Sequence, residues 1–403
     1  MENRKTQKIY KVIMLIVLTA TITYIITALK LSTKIKKDDS LSDIETTDNS
    51  ANINFSELRA ILANKYMGEL DDKKLLEGAI KGYVEGTGDP YTTYLTKEEM
   101  EELQEETSGK YVGIGVYVTE DTVENTILVV GVMKESPAQE AGIQAGDIIK
   151  KVNGVDYTGK QLSDAVSILK GEENTEVKVT IMRENKEIET NVTRKKITVE
   201  HVTSKIISEN IGYIQVDSFD DGVAQEFEKQ YNSLKESNIK GLIVDLRSNG
   251  GGVVDEATAI ADLFTEKGET LLITKNKTDK EEITKAGKEK IIKDIPVVVL
   301  VNQATASASE ILAGALRDNY GATIVGKNSY GKGVIQTVYL LSSGAGLKIT
   351  TNEYFTPKHI QINEIGIKPD EDIELTRNSE GYYETEEDKD AQLLKAIEVL
   401  RKK

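Results

Sequence analysis

At 403 residues the chain is long enough for several domains, and 39% apolar with 29% charged residues excludes wholesale disorder and a many-span membrane protein. Acidic residues outnumber basic ones 67 to 51, and the resulting net charge of −16 repels phosphate backbones, so nucleic acid is not an expected partner. With no cysteine there is no disulfide, thiolate metal site or cysteine nucleophile, and the two histidines, His201 and His359, exclude a histidine-rich metal centre and confine any serine–histidine triad to one of that pair.

Val12 to Leu29 carries no charge and follows Arg4, Lys5, Lys8 and Lys11. A bilayer-spanning helix needs about 20 apolar residues, so the run predicts an uncleaved signal anchor at the cell membrane, spanning once, with the body extracytoplasmic. Lys30, Lys34, Lys36 and Lys37 weaken the charge asymmetry; a cleaved signal peptide and a buried helix are the rival readings, but no small-x-small site follows for cleavage. Residues 38–52, acidic and rich in Ser and Thr, read as a solvated tether.

Apolar positions Leu58, Ile61, Leu62 and Tyr66, then Leu75, Leu76, Ile80 and Tyr83, predict two helices broken near Gly68, a small helical hairpin. Gly88-Asp89-Pro90 stops the second, and Thr96 with Glu99 marks the capped start of a third. From Tyr111 short strands are expected, Val112 to Val118 and Ile127 to Val132. The Gly-Ile-Gly entry at 113–115, the run Ser136-Pro137-Ala138 with Ala141-Gly142-Ile143-Gln144-Ala145-Gly146-Asp147-Ile148, and Val152-Asn153-Gly154 resemble a PDZ domain over residues 108–194. Such a module offers a strand edge and backbone N–H groups to an extended peptide and its terminal carboxylate, with Gly113, Ile114, Gly115 and Val116 as contact candidates. The plain alternative is that these glycines form a tight strand entry.

Beyond Ile211 strands and helices alternate as in an α/β core. Strands are predicted at Ile211–Val216, Gly241–Leu246, Pro296–Val301, Ala322–Val325, Val334–Leu341 and Leu347–Tyr354, and helices at Val223–Glu236, Val253–Phe264 and Ser307–Asp318. An amphipathic helix at Ala391–Leu400 would dock on the helical hairpin or on a second subunit.

Chemistry could sit at three places. Asp245-Leu246-Arg247-Ser248-Asn249-Gly250-Gly251-Gly252 turns a buried strand into a helix whose free N–H groups can hold an oxyanion; a flexible glycine loop is the alternative, and Asp245 with Arg247 reads as a structural brace. Ser307, at a strand-to-helix junction, resembles a nucleophile elbow without its G-x-S-x-G signature, while Ser307-Ala308-Ser309-Glu310 is equally a helix capping box, and the two readings can coexist. Gly326 to Gly333 nearly spells a phosphate-binding loop, but Gly333 stands where Ser or Thr is needed and a strand follows, so nucleotide binding is rejected. What remains is Lys332, which with Val334 and Gln336 projects to one side of an extended segment, or else faces solvent.

The succession D-L-R-x-N-x-G-G, V-N-x-x-x-A-S-A-S-E and G-x-x-x-x-G-K-G-x-x-Q, behind a PDZ module and G-D-P-Y-T-T-Y-L, resembles the C-terminal processing peptidases, or tail-specific proteases, from about Ile53 onward. The resemblance implies a multidomain α/β chain, a crotonase-like or ClpP-like protease core with an inserted PDZ domain and an N-terminal helical segment, behind the single transmembrane helix that Val12 to Leu29 predicts. The divisions expected are 1–37 stub and anchor, 38–52 linker, 53–107 helical domain, 108–194 PDZ, 195–380 core and 381–403 C-terminal helix. It implies Ser307 as nucleophile, Lys332 as general base, Gln336 positioning the lysine, N–H groups of Ala308 and Gly251 as oxyanion donors, and supporting roles for Glu310 and Asp318. It further implies protein substrates with accessible C-termini, no metal or organic cofactor, and a homodimer through the terminal helices. Departures are Gly250 for a proline, Thr305 for a serine, and Lys358-His359 for Gly-Arg. Because an exposed lysine has a pKa of about 10.4, such a dyad requires Lys332 to be shielded from water. Three other readings stay open: a catalytically inactive membrane-tethered PDZ scaffold, an acyl-CoA enzyme, and a serine–histidine triad using His201 or His359.

Overall fold

The computed structural model describes residues 49–376 and 384–403, so the predicted anchor at Val12–Leu29 and most of the tether lie outside the described residues. Among those residues no helix is long and apolar enough to cross a membrane. The chain divides into two units, one through Leu76 and one over Glu77–Lys403.

In chain order the elements are α1 (Asn49–Lys65), α2 (Asp72–Glu85), β1 (Thr93–Leu95), α3 (Lys97–Ser108), β2 (Lys110–Gly113), β3 (Val116–Asp121), β4 (Thr126–Val132), α4 (Pro137–Glu140), β5 (Ile148–Val152), β6 (Val155–Asp156), α5 (Leu162–Leu169), β7 (Glu176–Arg183), β8 (Lys186–Thr193), β9 (Lys195–Thr198) and β10 (Val202–Ile207). Then follow β11 (Ile211–Val216), α6 (Val223–Glu236), β12 (Gly241–Asp245), α7 (Val254–Asp262), β13 (Thr270–Asn276), β14 (Glu281–Lys285), β15 (Val297–Val301), α8 (Ala308–Ala315), β16 (Thr323–Gly326), β17 (Val334–Leu340), β18 (Gly346–Phe355), β19 (Glu371–Asp372) and α9 (Ala391–Arg401). Helix α1 begins at Asn49, so the last residues assigned to the tether are helical. The expected box caps α3: Thr96 N–H donates to Glu99 Oε2 at 2.7 Å and Glu99 N–H to Thr96 Oγ1 at 3.2 Å.

The inserted module has its own core around Ile127, Val129, Ile149 and Val179, under a sheet ordered β3-β4-β5-β7-β8. Its neck is a two-stranded antiparallel ribbon, β2 against β9, so the chain enters and leaves side by side. The predicted strand Val112–Val118 is broken at Ile114-Gly115, where Gly115 has φ +78°. Strand β3 stands at the edge of its sheet.

The larger core is a six-stranded sheet ordered β10-β11-β12-β15-β16-β19, parallel from β11 onward. Strands β12 and β15 are buried along their whole length, as their unbroken apolar runs require when both faces are covered. Leu242, Val244, Val297 and Val299 pack beneath α6, α7 and α8 with Phe227 and Ile260, whereas Ile243, Val298 and Leu300 face Leu393, Ala396 and Ile397 of α9. The last helix thus lays the stripe of Leu393, Ala396, Ile397 and Leu400 on its own sheet and not on the helical hairpin. Partly buried Arg247 fastens the arrangement, pairing with Asp245 at 2.6 Å and with Asp390, the cap of α9, at 2.8 Å. A second, antiparallel sheet, β1-β18-β13-β14 with β17 on the other edge of β18, brings the 88–95 segment to the 326–333 loop region. Strands β10, β13 and β14 were not expected from the sequence, their alternation being short and mostly polar.

Asp390 also accepts the N–H groups of Gln392 and Leu393, each at 3.0 Å. Asp390→Ala is therefore expected to destabilise the chain by about 2–4 kcal/mol through the lost cap and the stranded guanidinium, and Asp390→Asn, which keeps the cap acceptor, by less. Urea unfolding midpoints measure the difference.

Candidate active site

The parallel neighbours β12 and β15 end beside each other, and the turns that follow them are stitched together. Ala306 N–H and Ser309 Oγ both donate to Asn249 O, at 3.1 and 3.0 Å, Thr305 Oγ1 to Leu246 O at 2.8 Å, and Ser248 N–H to Asn302 Oδ1 at 2.9 Å. Ser307 sits at the head of α8 with φ +56° and ψ −118°, a conformation costly for a residue with a Cβ and held here by its surroundings. The expected capping box is present, but its effective arm comes from Glu310: Ser307 N–H donates to Glu310 Oε2 at 2.9 Å, while the serine hydroxyl forms no cap hydrogen bond. Capping and an available hydroxyl coexist.

Glu310 is wholly buried and gathers four donors. Besides Ser307 N–H, its Oε2 accepts Lys332 N–H at 2.9 Å, and its Oε1 accepts Gly331 N–H at 2.7 Å and Ser329 Oγ–H at 2.5 Å. These fill the acceptor sites of a carboxylate, which tolerates burial when so satisfied. On the other side Tyr354 shares its hydroxyl between Ser307 O at 3.1 Å and Lys332 O at 2.7 Å. Burial raises this phenol well above its ordinary pKa, so it remains a donor. The backbones of Ser307 and Lys332, 25 positions apart by number, are thus held together from two sides.

The Lys332 side chain is half-buried. Burial lowers its pKa below the ordinary value, nearby Lys348 lowers it further, and Asp89 and Glu310 oppose the shift. Among the described residues its Nζ makes no hydrogen bond or ion pair; it lies 4.7 Å from the ring centre of Tyr91. Gln336 directs its amide to Thr350 Oγ1 at 3.3 Å and not to Lys332, since the β17–β18 register shifts at Ile335/Gln336 and pairs Gln336 with Thr350.

Of the two oxyanion candidates, Ala308 N–H opens α8 and has no acceptor among the described residues, as expected of a first-turn amide. Gly251 N–H, in contrast, donates to Asn249 Oδ1 at 2.8 Å. Gly251 nevertheless abuts the serine: at φ +107°, a Cβ there would lie 2.8 Å from Ser307 Cβ and 3.0 Å from Ala308 N. Asn249, fully buried, completes its bonding by donating to Val216 O at 2.8 Å. Both histidines are engaged elsewhere, His201 Nε2 lying 2.8 Å from Asp220 and His359 Nε2 3.0 Å from Glu281. Asp318 accepts Lys358 N–H at 3.0 Å.

In the inserted module, Gly113, Ile114, Gly115 and Val116 line a groove between the free edge of β3 and Val166, Leu169 and Lys170. Lys170 Nζ bonds Glu105 of α3 at 2.8 Å. Asn249, Tyr354 and Tyr91 were not singled out from the sequence. Asn249 stands in the D-L-R-x-N-x-G-G run and could have been questioned there, while Tyr354 and Tyr91 meet the site through strand pairing that no local pattern reveals.

Residues 210–373 match Peptidase family S41, residues 128–183 the PDZ domain, and residues 16–99 the Activating protease CtpB N-terminal domain. Carboxy-terminal processing protease CtpA of Bacillus subtilis (strain 168) is 38% identical over 315 residues, 78% of this chain and 67% of that protein. A CtpA-like serine protease of Staphylococcus aureus (strain COL) is 36% identical over 338 residues, 84% of this chain and 68% of its own. A solved S41 protease structure from Bacteroides fragilis NCTC 9343 shares the fold, with a TM-score of 0.54 at 16% identity, covering 80% of this chain and 90% of that one.

Glu310→Gln replaces one acceptor oxygen with a donor facing donors. It should destabilise the chain by about 1–3 kcal/mol in urea and lower peptide hydrolysis well beyond what that loss of folded protein explains.

Proposed function

The chain belongs to the C-terminal processing peptidases, serine-type peptidases of family S41 with a PDZ domain, and on that premise we propose that it is a membrane-anchored, extracytoplasmic endopeptidase in which Lys332 serves as general base to Ser307. The observation that carries this reading is the Glu310 carboxylate, which accepts the N–H of Ser307 and the N–H of Lys332 at 2.9 Å each. Support for a neutral amine comes from the burial and the Lys348 charge that lower the lysine's pKa.

As a substrate carbonyl enters, Lys332 Nζ takes the Ser307 hydroxyl proton while Oγ attacks the carbon. The oxyanion is received by Ala308 N–H, and by Gly251 N–H once it turns from Asn249 Oδ1. The ammonium then protonates the leaving amine, and water, deprotonated by the same lysine, releases the acyl group from Ser307. Neither histidine takes part. The groove beside β3 would bind the substrate's C-terminal tail as an added strand, its carboxylate against the N–H groups of the 113–116 turn. Val12–Leu29 would hold the body at the membrane.

In the full chain, Ser307→Ala and Lys332→Ala should each reduce turnover about 10³-fold or more, and His201→Ala and His359→Ala should leave it intact; peptide fragments quantified by mass spectrometry report all four. The rising limb of kcat/KM with pH should lie below 10.4, because the amine must lose its proton and burial favours that loss. Removing residues 110–194 should abolish the preference for a particular C-terminal tail, and unchanged selectivity would refute the assigned role of the groove.

A further inference from the structure

The segment from Gly88 to Leu95 is fixed to the core with its own bonds. Asp89 accepts Tyr91 N–H at 3.1 Å and Thr92 Oγ1–H at 2.5 Å, Thr92 Oγ1 in turn accepts Thr350 N–H at 3.1 Å, and β1 pairs with β18 over Thr93–Leu95. This anchoring places the Tyr91 ring 4.7 Å from Lys332 Nζ, within the range of an attractive cation–ring contact. The lysine's Nζ has no hydrogen bond or ion pair among the described residues, so the aromatic face stands where a carboxylate would stand beside a catalytic histidine.

Resting on the assignment of Lys332 as base, we propose that Tyr91 is a positioning residue of the reaction: its ring receives the ammonium formed when Lys332 takes the proton of Ser307, and steadies it until that proton passes to the leaving nitrogen. A contact that strengthens as charge develops lowers the barrier, whereas one equal in both states does not. The ring serves best uncharged. Burial, with a hydrogen bond to Tyr330, raises the Tyr91 pKa and keeps the phenol neutral. The other groups facing Lys332 come from separate elements: Lys348 of β18 opposes the cation, and Asp89 of the same segment and Glu310 of α8 favour it. The balance leaves the amine able to lose its proton while giving the cation a defined seat.

The test is the pH profile of peptide hydrolysis by the full chain. Tyr91→Leu should lower kcat about 5- to 30-fold with KM within about twofold, and move the rising limb of kcat/KM to lower pH by roughly 0.5–1.5 units, since a lysine without its cation-stabilising neighbour gives up its proton more readily. Tyr91→Phe, which keeps the ring, should restore both rate and limb. Should Tyr91→Leu fail to fold, Tyr91→Met carries the same reading. An unmoved limb in the non-aromatic variant, or a Phe variant as impaired as the Leu one, overturns the inference. Lys332→Ala separates the two levels: if it retains turnover the base assignment itself fails, and if it is inert while Tyr91→Leu matches the parent chain, the role of Tyr91 alone is refuted.

Discussion

A single buried carboxylate organises the candidate active site. Glu310 lies in the first turn of α8, yet its four partners come from the serine turn and from the loop ahead of β17. A charge in that position is tolerable because every acceptor site is occupied, and the same demand fixes where the two loops must be. The 307 turn can then hold a backbone conformation that an isolated peptide would abandon. Tyr354 closes the arrangement from the opposite side, so neither backbone can drift without leaving buried polar groups unpaired.

The glycine turn adds a second level of constraint. Asn249 presents its carbonyl to Ala306 and Ser309 and its side chain to Gly251 and Val216, which joins β11, β12 and the head of α8 through one residue. The conformations of Gly251 and Gly252 leave no room for a side chain, Gly251 beside Ser307 and Gly252 against the backbone of Phe219. With Gly251 N–H bonded to Asn249, the proposed oxyanion pocket is half-open: one donor stands ready and the other must exchange partners.

The sequence made the regular core legible. Ile211–Val216 and Val223–Glu236 coincide with β11 and α6, because uninterrupted apolar runs and a clear helical period leave little choice. Local pattern marks Ser307 at a strand-to-helix junction and Lys332 at a strand entry, but only motif order and resemblance separate these from an ordinary capping box and a solvent-facing lysine. What stayed hidden was long-range. The β17–β18 register shift, which turns Gln336 toward Thr350, depends on pairing across a hairpin. Tyr91 approaches Lys332 because β1 joins the far sheet, and α9 covers its own sheet because Arg247 reaches Asp390 143 positions away. None of these is written in a window of neighbouring residues.

The ribbon formed by β2 and β9 brings the two ends of the inserted module to one doorway. A segment joined in this way is topologically a detachable head: the path of the hydrolytic sheet is the same whatever hangs from the doorway, provided the paired ends keep their spacing. Selection can therefore revise the proposed reader of protein tails and the protease core on separate schedules, and a grafted PDZ module of another preference has a natural point of attachment.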